Sequence, residues 1–450
     1  MRKTNEYSAK RLPKHAGQAA WDAILGKRTP APALDHDLSC DFAVVGAGFA
    51  GLYAARRLVQ LNPGARIVLL DAGRIGEGAA GRNSGFMIDL PHELTSSNYA
   101  GDNEGADRHL IALNRFGIDY AREAVREYGI DPNYFDPAGK VNGAATEPSH
   151  AQNLSYAAHL DELGERYELL DEQAMFELTG SRYYRSGLYT PGTVMLQPAG
   201  YVRGLASGLK PAVDIHENTA VTGFRREGAV WRIDTPGGRI SAGKIVLANN
   251  GHIESFGFKR GRLMHIFLFA CMTEELGAQA LAKLGGRSRW GITPSDPMGT
   301  TMRRIDTGQG GNRIITRTCA EFRPGMESTE QGMRRATAVM REKFDARFPN
   351  LTQVKMAYVW SGHLCLSKNG VSVTGEIDDG VFAACCQNGL GATRGTLTGI
   401  CAAELASGVS SQVTTFFAKQ AEPARLPPEP IASIGATAVL RWKEWLARRE

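Results

Sequence analysis

The chain has 450 residues, of which 43% are hydrophobic and 22% charged, and its formal net charge is +5. This length exceeds what one hydrophobic core usually organises, so it predicts a globular protein with two domains. The mild positive charge disfavours a nucleic-acid partner, and the seven cysteines include no C-x-x-C pair, which excludes a disulfide-reductase centre.

The sequence lacks signals for export and for membrane insertion. Its first residues, MRKTNEYSAKRLPKHAGQ, contain no apolar stretch of the kind a signal peptide needs, and no run of 18 apolar residues occurs. An odd, scattered set of cysteines is typical of a reducing compartment. We therefore expect a cytoplasmic protein.

Residues 1–37 form a polar N-terminal segment. It contains Pro30 and Pro32, and its one apolar stretch lies near residues 19–25. This pattern predicts a loosely packed arm with one short helix.

Residues 41–71 have the pattern of a dinucleotide-binding unit. A short apolar run at 42–45 predicts a buried parallel strand, and G-x-G-x-x-G spacing follows at 46–51. Residues 52–61 have helical periodicity, and a second apolar run at 67–70 ends on an acid, Asp71. The order strand, turn, helix, strand and acid favours this interpretation over an accidental glycine-rich turn.

Each residue of this unit has a distinct physical role. Gly46 permits the tight turn, Gly48 lets the backbone approach a pyrophosphate, and Gly51 allows helix and strand to pack closely. The helix N-terminus offers free N–H groups to the phosphates. Asp71, followed by Ala72, can accept both ribose hydroxyls, which favours NAD or FAD over NADP.

A second glycine-rich stretch, GRIGEGAAGRNSGF, follows at residues 73–86. Small residues at this density let the backbone approach a flat or charged group closely. The alternative is a flexible surface loop. Its position directly after the ribose-binding strand favours cofactor contact.

The middle of the chain predicts two kinds of structure. Residues 105–129 and 151–178 have helical periodicity, whereas 213–233 and 239–247 form a β-meander that returns to a parallel strand. From 261 to 350 the pattern changes to that of a second, mixed-sheet domain, with strands at 266–273, 300–305 and 313–318 and a helix at 332–348.

Residues 380–405 have the same strand–glycine turn–helix pattern as residues 41–61. An apolar strand leads to a glycine turn, which is followed by a helix predicted over 393–405. The N-terminus of that helix can face an electron-rich group such as the flavin pyrimidine edge. An NAD-only dehydrogenase needs no second glycine turn and helix N-terminus so far along the chain, so the pattern indicates FAD.

Six segments in this order resemble the D-amino-acid oxidase superfamily of FAD-dependent oxidoreductases: VVGAGFAGL, LLDAGRIGEGAAGRNSGF, LQPAGYVRGLA, KIVLANNG, YVWSGHLCLSKNG and VFAACCQNGLGATRGTLTG. The GxGAxGRNxG loop, the W-x-G segment and the basic C-terminal stretch are most similar to the gamma-glutamylputrescine oxidase branch. The resemblance implies an α/β, two-domain fold: a Rossmann-like FAD-binding domain with a β-meander insertion, and a mixed-sheet substrate domain.

The domain boundaries follow from the same patterns. We expect an N-terminal arm at 1–37, an FAD-binding domain at 38–100, 190–255 and 355–420, and a substrate domain at 101–189 and 256–354. Residues 421–450 form a basic helical tail, either an interfacial membrane helix or, as the favoured alternative at this length, a helix docked through Trp442 and Trp445.

The resemblance implies the site residues, and no metal site is expected. The cofactor contacts are Gly46, Gly48, Gly51, Asp71, Ala72, Arg82, Asn83, Ser84, Val221, Gly389, Leu390, Gly391, Ala392 and Thr393. The catalytic candidates are His363, Asn83 and Ser84, with His252 and His265 of lower rank. Arg303 and Arg304 match a strand that lines the substrate cavity, or one of them makes a surface ion pair.

The implied reaction is hydride transfer from the carbon next to an amine to flavin N5, which gives an imine that water hydrolyses. Relatives that oxidise α-amino acids carry an arginine where this chain has Leu364, so the resemblance favours a small amine without an α-carboxylate. The alternative is a D-amino-acid or imino-acid oxidase or dehydrogenase, similar to enzymes of sarcosine or pipecolate. Oxygen or an electron carrier would reoxidise the flavin.

Two cysteine sites also need interpretation. Cys365 stands where the sarcosine-oxidase branch has its covalent flavin link, but a buried strand cysteine is the commoner case, so non-covalent FAD is favoured. The adjacent Cys385 and Cys386 are expected to fill core.

Overall fold

The computed structural model describes residues 5–91 and 104–450 of the chain. Its strands form a nine-stranded sheet, an eight-stranded sheet and a small three-stranded sheet. The first two confirm the predicted combination of a Rossmann-like sheet with a second, mixed sheet. The α-helices are Ala20–Ala23, Phe49–Leu61, Glu104–Glu127, Glu147–Leu163, Glu172–Thr179, Pro198–Leu209, Ala278–Leu284, Glu330–Arg347, Gly391–Ala406, Gln412–Ala418 and Ile431–Leu446.

The nine-stranded sheet has a parallel centre, as the apolar runs predict. Leu38–Val45 lies between Ile67–Leu70 and Arg239–Leu247, and all three run parallel. The helix Phe49–Leu61 packs so closely against Gly391–Ala406 that a side chain at Gly399 would overlap the backbone of Ala50. The strands are Glu6–Ser8, Leu38–Val45, Ile67–Leu70, Asp214–His216, Gly223–Glu227, Val230–Asp234, Arg239–Leu247, Val373–Asp378 and Val381–Cys385.

The N-terminal segment is part of this fold. Glu6–Ser8 adds an edge strand by pairing with Gly223–Glu227, and the short helix Ala20–Ala23 confirms the predicted one. Trp21 is fully buried, and its Nε1 donates to the carbonyl of Asn83. The expectation of a loosely packed arm was therefore wrong, because its few apolar residues find a core.

The eight-stranded sheet is built around Leu263–Thr273, which pairs with Arg313–Phe322 on one side and Met356–Ser367 on the other. We expected residues 355–420 in the cofactor domain, but Met356–Ser367 lies in this second sheet, and the chain re-enters the first sheet at Val373. The strands are Lys140–Ala144, Glu168–Leu170, Ser186–Thr190, Leu263–Thr273, Trp290–Pro294, Thr301–Ile305, Arg313–Phe322 and Met356–Ser367.

Two helical predictions differ from the structure. The single segment at 151–178 is two helices, Glu147–Leu163 and Glu172–Thr179, because Gly164 adopts a left-handed conformation that ends the first one. The helix Glu104–Glu127, which we assigned to the substrate domain, contributes Leu113 and Ile118 to the core that contains Val44 of the first sheet. The exact domain boundaries remain a prediction.

The C-terminal helix Ile431–Leu446 docks in the opposite orientation to the predicted one. Trp442 and Trp445 are 59% and 58% exposed, so the prediction that they hold the helix to the body was wrong. Glu444 does so instead, by accepting from the backbone N–H of Ala320 at 2.8 Å and pairing with Arg335, together with Ala436 and Leu440, which pack against an apolar cluster of the second sheet. No helix among the described residues has the length and hydropathy needed to cross a membrane.

Candidate active site

An elongated cavity follows the fingerprint loop and reaches the second sheet at His363. The predicted site residues that line it are Gly46, Gly48, Asp71, Ala72, Val221, His252 and His363. The other predicted residues are not among its lining: Gly51 and the segments 82–84 and 389–393 lie elsewhere.

The fingerprint glycines have the conformations that their roles require. Gly46 has a φ of +105°, and a side chain at Gly51 would overlap the Gly46 carbonyl oxygen. Gly48 is the N-cap of Phe49–Leu61, and a methyl group there would have only the Ala80 side chain nearby, at 3.6 Å. Gly46 and Gly51 therefore shape the turn, whereas Gly48 leaves space at the cavity wall.

Asp71 is held at the end of its strand by two backbone donors. Its Oδ2 accepts from Ala47 N at 2.8 Å, and its Oδ1 accepts from Gly73 N at 2.9 Å. Burial raises the pKa of this carboxyl group, and the two N–H groups oppose the shift. Each oxygen keeps a further acceptor position, which fits a pair of ribose hydroxyls.

The second glycine loop is a conformational copy of the first. Residues 76–81 also have G-x-G-x-x-G spacing. Gly76 has a φ of +95°, and Gly78 has a φ of −77° and a ψ of −168°, close to −85° and −168° at Gly48. A side chain at Gly81 would overlap the Gly76 carbonyl oxygen. Our sequence interpretation missed this repeat, although the spacing alone would have revealed it.

Arg82 is fully engaged in holding loops together. Its guanidinium donates to the carbonyl oxygens of Glu77, Ala16, Gly17 and Ser361. Burial lowers its pKa to about 10. Arg82 therefore joins the glycine loop, the N-terminal segment and the second sheet.

The side chain of Asn83 is also used locally. Its Nδ2 donates to Ala79 and Ala80 carbonyls, and its Oδ1 accepts from Gly85 N at 2.7 Å. These bonds give Asn83 a role in shaping the loop. The carbonyl of Ser84 accepts from Arg303 at 3.2 Å. The catalytic roles of Asn83 and Ser84 remain predictions.

The two arginines of strand Thr301–Ile305 have structural partners. Arg303 is fully buried, stacks at 5.0 Å from the Trp21 ring, and donates to the carbonyls of Gly85 and Leu196. Burial lowers its pKa to about 9. Arg304 donates to the Gly285 carbonyl. The expected alternative of a surface ion pair was wrong, because both side chains are buried.

The helix Gly391–Ala406 begins with open space at its first residue. No atom lies within 4 Å of the position of a methyl group on Gly391, and Gly389 has a φ of +87°. Ala392 and Thr393 are buried, and Thr393 Oγ1 donates to the Ile88 carbonyl at 2.9 Å. The free N–H groups of this terminus remain available to a flat, electron-rich group.

A chain of hydrogen bonds connects Glu254 to His363. Glu254 Oε2 lies 2.7 Å from His265 Nε2, and His265 Nδ1 lies 3.1 Å from His363 Nε2. A carboxylate only accepts, so Nε2 of His265 carries a proton. With His265 neutral, its Nδ1 accepts from His363 Nε2, and Nδ1 of His363 is left as an acceptor.

Two histidine rings at this end of the cavity, those of His252 and His363, have lowered pKa values and are therefore uncharged at neutral pH. Burial, followed by the nearby His265 and His252, lowers the pKa of His363 well below its usual value. Burial also lowers the pKa of His252 to about 4, and its ring lies 5.4 Å from that of His363. His363 is therefore neutral at neutral pH and acts as a hydrogen-bonding group.

We expect His252 to make the protein sensitive to acid. Its folded pKa lies below the unfolded value of about 6.5, so the unfolded state binds the proton first as pH falls. The free energy of unfolding should drop by about 1–2 kcal/mol between pH 7 and pH 4, after allowance for partial exposure of the ring. Urea unfolding across this range checks the effect, and the His252→Asn variant should lose that part of the pH dependence.

Cys365 is a buried core thiol. Its hydrogen bond with Cys386, followed by its burial, raises its pKa well above the usual value, so the thiol stays protonated, and it is not among the cavity lining. Cys385 and Cys386 are fully buried as well, in the same apolar cluster. We expect that acid precipitation of the purified protein leaves the yellow colour in the supernatant. A yellow pellet would contradict this and indicate a covalent link.

The lining residues fit the adenine half of FAD. The two glycine loops and Asp71 would hold this half, and no side chain would need to move at Gly48. Contact between the flavin ring and the helix terminus at Gly391, which does not line the cavity, remains a prediction. The two-sheet fold and this cavity define an FAD-dependent oxidoreductase.

The chain belongs to the family described as DAO, FAD dependent oxidoreductase, whose profile matches residues 41–405. Probable oxidoreductase OrdL of Rhizobium meliloti is 24% identical over 416 residues, which cover 89% of this chain and 91% of that protein. Gamma-glutamylputrescine oxidoreductase of Escherichia coli is 25% identical over 406 residues, or 88% and 90% of the two chains. Glycine oxidase from Geobacillus kaustophilus has the same fold, with a TM-score of 0.67, 18% identity and coverage of 83% and 96%.

Proposed function

We propose that this protein oxidises the carbon next to nitrogen in a small amine that lacks an α-carboxylate. Bound FAD supplies the acceptor for the hydride that leaves this carbon. The nitrogen loses its proton, and water hydrolyses the resulting imine to an aldehyde or ketone and the released amine or ammonia. The similarity to gamma-glutamylputrescine oxidoreductase supports a substrate of this class.

The observation that carries this proposal is the setting of Leu364. Along strand Met356–Ser367, alternate side chains share a face. On that face Trp360 Nε1 donates to the Arg82 carbonyl, and a methyl group on Gly362 would lie 3.3 Å from the same oxygen. Leu364 is therefore next along the face that adjoins the glycine loop. It belongs to the apolar cluster of Ile266, Ala320 and Phe322 and does not line the cavity, so the chain offers no cationic side chain at this position to hold a substrate carboxylate.

The chain's own groups have positioning roles in this reaction. Arg82 and Arg303 fix the glycine loop, and His363 presents Nδ1, which has no hydrogen-bond partner among the described residues. An acceptor at this end of the cavity can orient an amine N–H. Hydride transfer needs a neutral amine placed close to its acceptor, so no strong base is required.

We expect Glu254→Gln to weaken substrate positioning without unfolding the protein. A glutamine amide can donate or accept, so it no longer fixes the proton on His265 Nε2, and the direction of the His265–His363 bond becomes variable. kcat/KM should fall about 10-fold, while Tm changes little. Glu330→Gln, at an exposed carboxylate outside the cavity lining, is the control. An unchanged kcat/KM in Glu254→Gln would contradict the relay.

An anaerobic bleaching screen tests the proposed function. Polyamines, gamma-glutamyl amines and N-methyl amines should bleach the flavin of the purified holoprotein, whereas glycine, D-amino acids and cyclic imino acids should not. If only the acids bleach it, the protein is an amino-acid or imino-acid oxidase or dehydrogenase and the proposal fails. Adding oxygen to the bleached protein then distinguishes oxygen from an electron carrier as the acceptor.

A further inference from the structure

The outer face of the C-terminal helix is apolar. Among the described residues, eleven large hydrophobic side chains are exposed, and six of them lie on Ile431–Leu446. These are Ile431, Ile434, Val439, Trp442, Trp445 and Leu446. At 100° per residue they fall within an arc of about 140° on the helix surface. An outward helix face normally carries charges, so this concentration marks an interaction surface.

Polar contacts fix this orientation. Glu444, on the opposite side of the helix, accepts from Ala320 N and pairs with Arg335 and Arg441. Beyond the helix, Glu450 Oε2 accepts from Ala145 N at 3.0 Å, and the Arg449 carbonyl accepts from the Tyr183 hydroxyl at 2.8 Å. The helix is thus held by these polar contacts and by Ala436 and Leu440, which pack against the cluster of Ile266, Ala320 and Phe322, while the six exposed hydrophobic side chains face outward.

The charges around the apolar arc are basic. By the same helical geometry Lys443 borders one edge of the arc, and Arg441, which is paired with Glu444, borders the other. Arg448 is exposed and its guanidinium lies 4.5 Å from the centre of the Trp445 ring. The acids Glu444 and Glu450 are turned towards the body of the protein. The surface therefore combines apolar and aromatic side chains with a basic border.

We propose that this helix docks on the surface of a bilayer that contains anionic phospholipid. Tryptophan side chains favour the interfacial region, and basic residues beside them attract anionic headgroups. The helix lies parallel to the surface, since its 16 residues span only about 24 Å. The proposal is independent of which amine the protein oxidises.

A second copy of this chain is the weaker candidate for the partner. A stable protein interface buries about 800 Å² on each partner, far more than one face of a helix about 24 Å long and 10 Å wide provides. A two-fold contact through this helix would also bring the basic borders of two copies together. A lipid surface matches both the shape and the charge.

Tryptophan fluorescence of the holoprotein offers a direct test. The chain has six tryptophans, and the four outside this helix (Trp21, Trp231, Trp290 and Trp360) are buried, so Trp442 and Trp445 are the two that can report docking. Vesicles of phosphatidylcholine with phosphatidylglycerol should shift the emission to shorter wavelength and carry the protein upward in flotation. Vesicles of phosphatidylcholine alone should do so at least about 10-fold more weakly.

The double variant Trp442→Ala, Trp445→Ala should remain folded, because both side chains are exposed, and should lose flotation. Leu154→Ala, Leu169→Ala removes two exposed side chains elsewhere and is the matched control. Arg448→Gln, which keeps both tryptophans, should weaken binding to the anionic vesicles about 5-fold. Equal binding to both vesicles, no flotation, or a concentration-dependent dimer that the double tryptophan variant abolishes would each overturn the proposal.

Discussion

Gly48→Val should give a folded protein that is purified without its flavin. The backbone at Gly48 has a φ of −85° and a ψ of −168°, which valine adopts without strain. The nearest atom to its Cβ would be the Ala80 side chain at 3.6 Å, so the apoprotein has room for the change. The new methyl groups would occupy the cavity wall where the backbone must approach a pyrophosphate.

We expect FAD affinity to fall at least about 100-fold, which corresponds to about 2.7 kcal/mol. The ratio of flavin absorbance to protein absorbance after purification measures the loss of FAD. The circular dichroism and Tm of the Gly48→Val and wild-type apoproteins show whether the fold is retained. Gly26→Val is the matched control, because no atom lies within 4 Å of its Cβ and it is distant from the cavity lining. Gly51→Ala should behave differently and lower apoprotein stability, because its methyl group would overlap a backbone oxygen. Full flavin content in Gly48→Val would contradict the cavity assignment.

The cofactor end of this site is predictable from sequence because its signals are local. The turn at Gly46, the helix start after Gly48 and the position of Asp71 depend on residues within one strand–helix–strand unit. The second glycine loop uses the same spacing and was available to the same reasoning. Its conformation repeats the first because the same close packing between the first and last glycine is required.

The contacts between distant segments are not predictable in this way. His265 and His363 lie 98 positions apart and meet only through the register of two antiparallel strands, and Glu254 reaches them from a short helix outside that sheet. For Arg82, the sequence motif suggests a flavin contact, whereas its guanidinium donates to backbone carbonyls of three different segments. Which carbonyls it reaches depends on the loops that the fold brings together.

The C-terminal helix shows a further limit. Periodicity identifies its apolar face but not the direction in which that face points. Hydrophobicity favours the inward direction, yet the backbone N–H of Ala320 is free where the neighbouring strand pairing shifts register, and Glu444 satisfies it. A buried N–H without a partner is costly, so the face that carries Glu444 docks, together with Ala436 and Leu440 on the same side, and the tryptophans remain outside.

Leu364→Arg should reverse the preference for carboxylate-free amines. A guanidinium in this apolar cluster lacks a carboxylate partner, so Tm should fall, with a loss of about 2–4 kcal/mol in stability. Its positive charge should repel a cationic amine and lower kcat/KM at least about 100-fold. A small carboxylic acid such as glycolate should restore part of the Tm, because it can pair with the guanidinium in bidentate fashion.

Two controls separate substrate contact from simple destabilisation. Leu364→Met conserves volume and should retain most activity. Leu366→Arg places the same charge in the same cluster two residues further along the strand, and it should lower Tm without large rescue by glycolate. If Leu364→Arg kept the amine activity of Leu364→Met, or if both arginine variants responded alike to glycolate, Leu364 would not face the substrate. Rescue confined to Leu364→Arg is the expected result and would indicate that residue 364 faces the bound substrate.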